Sequence, residues 1–345
     1  MIAAFPLALV LLGLQTDPRV LHWPLGEGTQ AFPLRATYGQ LEGDSDGSNL
    51  HLGIDIAARS ASEMVYAIES GMVRRVEVPS TSNPMDAYFS GIVVESASVP
   101  GRALLYLHLE PGTIQVKVGD TVAPRDPLGQ VVYSDPYTGV RHLHLSRLEG
   151  DVVGTSWEEL DSLNVHNPLA LFDPAVLGDG TAPVIEQIRN RWCRPRENED
   201  SGGGDHVYPS PSHIHPGDLD LLVRVYDQDD SGSTHLLAPY RIELKEVASG
   251  TLRVLLLDDA LTSLEPEDLY NLDDAHPSCS SVGDTPGRRY RYFLVATNAA
   301  PGASAIDTPY AWTATTGSQQ FELTVLDVAG NSARETFTVD VESSP

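Results

Sequence analysis

Cysteine is nearly absent from this chain: Cys193 and Cys279 are the only two in 345 residues. Neither has a close cysteine neighbour, which excludes a thiolate zinc cluster. In an exported protein the pair can close a long loop as one disulfide; two separate thiols are the alternative. Basic residues are scarce as well, 22 Lys and Arg against 48 Asp and Glu, for a formal charge of −26. That balance excludes nucleic acid as a partner and disfavours polyanions, leaving cationic or zwitterionic partners open. Long apolar runs are missing too. The longest, residues 7–14, is too short to span a bilayer, which takes roughly 20 apolar residues, so no transmembrane segment is expected. The run fits the apolar centre of a secretory signal over residues 1–17, which would place the protein outside the cytoplasm. No Lys or Arg precedes it and no clear Ala-x-Ala site follows, so a buried N-terminal strand or a misassigned start is the alternative. No cysteine lies near it to carry a lipid anchor. A His-Glu-x-x-His run is also absent, so no helix-borne glutamate base of that type is available.

Hydrophobic residues make up 41% of the chain, enough for two globular domains with cores of their own. Over residues 20–172, short β-like runs alternate with Gly and Pro turns. Strands are expected at 64–68, 72–78, 91–94, 103–108, 113–118, 128–132 and 142–148, with short helical runs at 157–163 and 167–172. The spacing predicts an all-β, mostly antiparallel domain over 18–176. Residues 177–181 read as a junction. A second β-rich region over 177–345 follows, with an irregular insert at 194–218 and a short helix expected at 265–272. Tyr240, Ile242 and Leu244 alternate with Arg241, Glu243 and Lys245, the period of a half-buried strand. The chain closes on a hairpin, 321–326 and 336–341, around Asp327-Val328-Ala329-Gly330-Asn331. Strands at this spacing predict an immunoglobulin-like β-sandwich.

Two short runs carry the chemistry. In His142-Leu143-His144 a strand would aim both imidazoles to one side and Leu143 to the other. In His51-Leu52-Gly53-Ile54-Asp55, Gly53 permits a tight bend and Asp55 stands between Ile54 and Ile56. A carboxylate among isoleucines is costly unless it is paired or metal-bound. Together the runs offer three good zinc ligands and a spare imidazole, and three ligands leave a position open for water. His108 joins them from the apolar run Leu104-Leu105-Tyr106-Leu107-His108-Leu109.

These residues, in this order, resemble the lysostaphin-like, or LytM-like, zinc metallopeptidases, which cleave the peptide part of bacterial cell walls. The resemblance rests on His51-Leu52-Gly53-Ile54-Asp55-Ile56, Tyr106-Leu107-His108-Leu109, Val118-Gly119-Asp120-Thr121-Val122 with Leu128-Gly129, and His142-Leu143-His144. Thr37-Tyr38-Gly39 and Val65-Tyr66-Ala67 also fit, so the likeness covers roughly residues 30–150. It implies a compact antiparallel β fold with zinc in an open groove, held by His51, Asp55 and His144. It implies catalytic roles for His108 and His142, with the division between them open. The implied substrates are peptidoglycan stem or cross-bridge peptides. A non-hydrolytic wall-binding module, or an activator of another hydrolase, is the alternative, although all five positions are filled. A phosphocarrier domain with paired histidines is a third reading, opposed by Asp55 and the export signal. The sequence departs from the family pattern at Val140-Arg141, where relatives commonly have Gly-Pro, and at Leu145-Ser146, where they often have Phe-Glu.

Other candidates read as ordinary. His213-Ile214-His215 sits in the Pro-rich insert and reads as a solvated loop. Asp227 to Gly232 resembles the start of a calcium loop, but Ala238 stands where a glutamate is required, so a plain turn is expected. Residues 43–47 read as a rim loop.

Overall fold

Short apolar strands, the central ones buried on both faces, build the first half of the protein. The computed structural model describes residues 20, 22–26, 28, 32–42, 49–60, 62–79, 88–132, 141–157, 160, 163–192, 206–208, 220–228, 236–257, 292–296 and 315–341. The expected signal region, both cysteines, His213, His215, the rim loop 43–47 and the helix expected at 265–272 lie outside the described residues.

The first half contains strands β1 (Leu34–Ala36), β2 (Leu41–Glu42), β3 (Asn49–Leu50), β4 (Ile54–Ala57), β5 (Met64–Tyr66), β6 (Gly71–Glu77), β7 (Gly91–Ser96), β8 (Arg102–Leu107), β9 (Thr121–Val122), β10 (Pro127–Gln130), β11 (His142–Glu149) and β12 (Asn164–His166). The main sheet is antiparallel in the order β1-β4-β11-β8-β7-β6-β9, with β12 also paired to β11. A small sheet, β10-β5, packs on one face of it. Ile54, Ile56, Leu104, Tyr106, Leu143 and Leu145 fill that face, each wholly buried. Successive side chains alternate across a strand, so Asp55, His142 and His144 point to the other face.

The strand expected at 113–118 does not form. Pro111–Thr113 make one helical turn, and the Asp120 carboxylate accepts from the Lys117 amide to close the next bend. Ile114 and Val116 still pack on the core, which accounts for their apolar character without a strand. The helical run expected at 167–172 appears as one turn, Pro168–Leu171, in which the Asn167 side chain accepts from the Leu169 amide.

A short helix, α1 (Pro174–Leu177), ends at Gly178 in the left-handed conformation, where the junction was expected. Beyond it are β13 (Val184–Trp192), β14 (His206–Tyr208), β15 (Asp220–Tyr226), β16 (Arg241–Glu246), β17 (Leu252–Leu256), β18 (Tyr292–Ala296), β19 (Gly317–Leu326) and β20 (Ser332–Val341). They form two antiparallel four-stranded sheets, β14-β13-β15-β18 and β17-β16-β19-β20. Val223 and Val225 from one, and Ile242, Leu244 and Leu323 from the other, share one apolar cluster. The C-terminal hairpin forms where expected, with β19 and β20 paired over their whole length. The protein is thus all-β, as the sequence predicts. The same apolar cluster continues into the second face of the first sheet through Val93, Leu105 and Leu148.

Candidate metal and catalytic site

Three adjacent strands and one bend converge on the site. Strand β11 lies between β4 and β8, and its register sets His144 opposite both Asp55 and Leu107. Asp55 therefore comes from β4, His142 and His144 from β11, and His108 from the residue that follows β8. His51 enters from the bend before β4. Gly53 makes that bend possible, since a Cβ there would meet His144 Nε2 at 2.5 Å and the Leu145 carbonyl at 2.7 Å.

His51 Nε2 lies 3.2 Å from Asp55 Oδ1 and 3.0 Å from His144 Nδ1, and His144 Nδ1 lies 3.0 Å from the same carboxylate oxygen. The other nitrogen of His51, Nδ1, donates to the Thr37 carbonyl at 3.1 Å. A neutral imidazole has one N–H, so His51 turns its Nε2 lone pair toward Asp55 and His144. Burial pushes the Asp55 carboxyl up, but when the His51 and His144 rings are protonated their charge and hydrogen bonds outweigh it and hold the group well below the usual carboxylate range. Two imidazoles and one ionised carboxylate form a donor set that fits a divalent zinc ion. These three residues are one of two groups among the described residues whose ligand atoms all lie within 4.8 Å of one another.

The two remaining imidazoles flank this trio. His108 has φ 67°, in the left-handed region that a bulky residue rarely adopts. It is held there by the Val132 amide on its carbonyl (2.8 Å) and by its own Nδ1 donating to the Tyr88 carbonyl (2.7 Å). Its ring stacks on Tyr88 at 3.7 Å between centroids and stands 4.7 Å from that of His142. Burial, together with the nearby His142 and His144, keeps His108 well below the usual imidazole range, so it is neutral near pH 7. His142 Nε2 lies 3.3 Å from the Tyr88 hydroxyl and 3.5 Å from Asp55 Oδ2.

All five residues singled out in the sequence are thus brought into one groove of about 840 Å³, with Leu52, Tyr88, Phe89, Leu107 and Trp157 in its walls. Tyr88 is the contributor that sequence reasoning missed. It acts through a backbone carbonyl and a ring face, and neither leaves a spacing pattern in the sequence.

The second group is made of acids alone, Asp179 from the junction with Asp227 and Asp327 from beyond it. Asp227, expected in a plain turn, bridges to Leu237 and approaches the other two acids. Asp327 is only 2% exposed and accepts from the Asn331 amide and side chain, at 2.8 Å each. Burial raises its pKa on balance, whereas at Asp55 the histidines outweigh burial. The two halves of the chain also touch near the first site: Thr37 Oγ1 donates to the Ala238 carbonyl at 3.2 Å and accepts from the Ala238 amide at 2.9 Å.

No curated protein matches the chain. Among solved structures, it is similar to the antimicrobial peptidase lysostaphin from Staphylococcus simulans, with 18% identity, 70% of this chain and 98% of that chain covered, and a TM-score of 0.36. The catalytic domain of lysostaphin gives 24% identity over 33% of this chain and 78% of that one, with a TM-score of 0.28. A zinc-containing peptidase from Vibrio cholerae gives 24% identity over 38% of this chain and 37% of that one, with a TM-score of 0.30. The family model for peptidase family M23 matches residues 49–154, the stretch that carries His51, Asp55, His108, His142 and His144. Residues 49–154 of this chain are a domain of peptidase family M23.

Proposed function

We propose that this protein is a zinc-dependent endopeptidase that hydrolyses stem or cross-bridge peptides of bacterial peptidoglycan, outside the cytoplasm. In this reading residues 18–176 are the catalytic domain, 177–345 are an accessory immunoglobulin-like domain, and 1–17 direct export. One observation carries the reading. His51 Nε2, Asp55 Oδ1 and His144 Nδ1 converge within 3.0–3.2 Å, while His108 and His142 stand beside them without joining the trio. A purely structural cluster has no need of two further imidazoles on the groove side.

Bound there, zinc supplies an acidified water and a Lewis acid for the scissile carbonyl. The chain's own groups do the rest. His108 donates through Nδ1 to Tyr88, so its Nε2 carries a lone pair. Being neutral, it takes the proton of the attacking water and later returns it to the leaving amine. His142 and the Tyr88 hydroxyl, 3.3 Å apart in the groove, would supply a donor to the oxygen on which negative charge develops. The apolar groove walls position the peptide and thin out competing water.

Mass spectrometry of fragments released from purified peptidoglycans tests this directly. Cleavage within stem or cross-bridge peptides, abolished by a chelator and restored by zinc, is expected. Absence of release, or release indifferent to chelation, overturns the proposal.

A further inference from the structure

His144 faces the trio with Nδ1, and its opposite nitrogen meets a single side chain. Nε2 lies 2.8 Å from Ser146 Oγ, and Ser146 Oγ lies 2.7 Å from the Leu52 carbonyl. Ser146 is 3% exposed and sits two residues along β11, on the same face as His144. A hydroxyl has one proton, and a carbonyl oxygen only accepts. For both contacts to be hydrogen bonds, the Ser146 proton goes to Leu52 and Oγ accepts from His144. His144 is then protonated on Nε2, and its Nδ1 lone pair points at Asp55 Oδ1 and His51 Nε2. Gly53 lets the backbone that carries Leu52 come close enough to complete this relay, because any Cβ there would occupy the place of the His144 ring edge.

We infer that Ser146 is a positioning residue for the metal site: through the relay His144 Nε2–H to Ser146 Oγ–H to Leu52 C=O, it selects the tautomer of His144 that can bind zinc. The proposal rests on the zinc reading above, but the tautomer can be measured without the metal. It also gives a physical role to the position where the sequence departs from the family pattern. A neutral hydroxyl, anchored on the bend that carries His51, orients the second imidazole ligand. His51 is oriented by a backbone carbonyl in the same sense. The two histidines are thus both turned inward, His51 from Thr37 and His144 from the bend that carries His51, which couples the bend 51–53 to β11.

The test combines long-range ¹H–¹⁵N correlation of the histidine rings in metal-free protein with zinc affinity measured by chelator competition. The wild type is expected to show His144 protonated on Nε2. In Ser146→Ala the signal shifts toward the other tautomer, and zinc binding weakens by about 10- to 100-fold, the usual cost of an outer-shell partner. Ser146→Thr keeps the hydroxyl and restores both readouts. A metal-free wild type with His144 protonated on Nδ1 overturns the proposal, as does Ser146→Ala with unchanged tautomer and zinc affinity. Should Ser146→Ala fail to fold, the wild-type tautomer and the Ser146→Thr variant decide the matter. A wild type with the expected tautomer but no affinity for zinc leaves the relay standing and removes the zinc reading.

Discussion

The molecule holds two clusters of three potential ligands, and their chemistry is opposite. In the first, His51, Asp55 and His144, hydrogen bonds reach the imidazoles from outside, through Thr37 and Ser146, and turn acceptor atoms inward. Asp55 is held ionised. In the second, Asp179, Asp227 and Asp327, Asn331 enters from within the hairpin loop and donates to Asp327 directly, while burial favours the protonated acid. Proximity of ligand-type atoms is therefore the same in both, and the direction of the surrounding hydrogen bonds separates them. A cluster whose protons point outward is built for a cation; one whose acids receive donors from its own loop is built as a turn.

The same substitution breaks this comparison most forcefully. Asp55→Asn is expected to weaken zinc binding by more than about 100-fold, beyond the cost of an outer partner, and to abolish hydrolysis. Asp327→Asn keeps an acceptor for Asn331 and is expected to leave zinc content and hydrolysis at wild-type level. Metal analysis of both purified variants checks the pair; zinc lost equally from each contradicts the distinction.

A pH series sharpens it. For a carboxyl raised in the folded state, the native protein holds more protons than the unfolded chain between 3.8 and the folded pKa. Wild type therefore loses stability relative to Asp327→Asn as pH rises through that window. Urea denaturation at pH 4.5 and pH 7 is expected to show Asp327→Asn gaining on wild type at the higher pH. An equal difference at both values contradicts the assignment.

The smallest effect concerns the contact between the halves. Thr37 holds Ala238 with its hydroxyl and His51 with its carbonyl. Thr37→Val removes the first pair of bonds, costing about 1–2 kcal/mol of stability. Zinc affinity is expected to fall by less than about tenfold, the low end for an outer partner. Calorimetry and chelator competition measure the two together, and an unchanged stability shows that the contact does not hold in solution.

Much of the site was legible in the sequence because strands impose a period of two. His142 and His144 had to share a face, and Asp55 between Ile54 and Ile56 had to face away from the core. Register was not legible: nothing in the sequence says that His144 pairs opposite Asp55 and not one residue along. Tyr88 was hidden because it works through a carbonyl and a ring face. Ser146 stood in view two residues from His144, but its role appears only when the Leu52 carbonyl is seen across the bend. The strand expected at 113–118 misread apolar residues that pack from a turn.

Zinc content measured beside hydrolysis rate in His144→Ala and His142→Ala tests the division of the site most directly. The account predicts one zinc per wild-type chain, zinc lost from His144→Ala, and zinc kept but hydrolysis lost in His142→Ala. Full activity in either variant, or zinc retained by His144→Ala as tightly as by wild type, contradicts it.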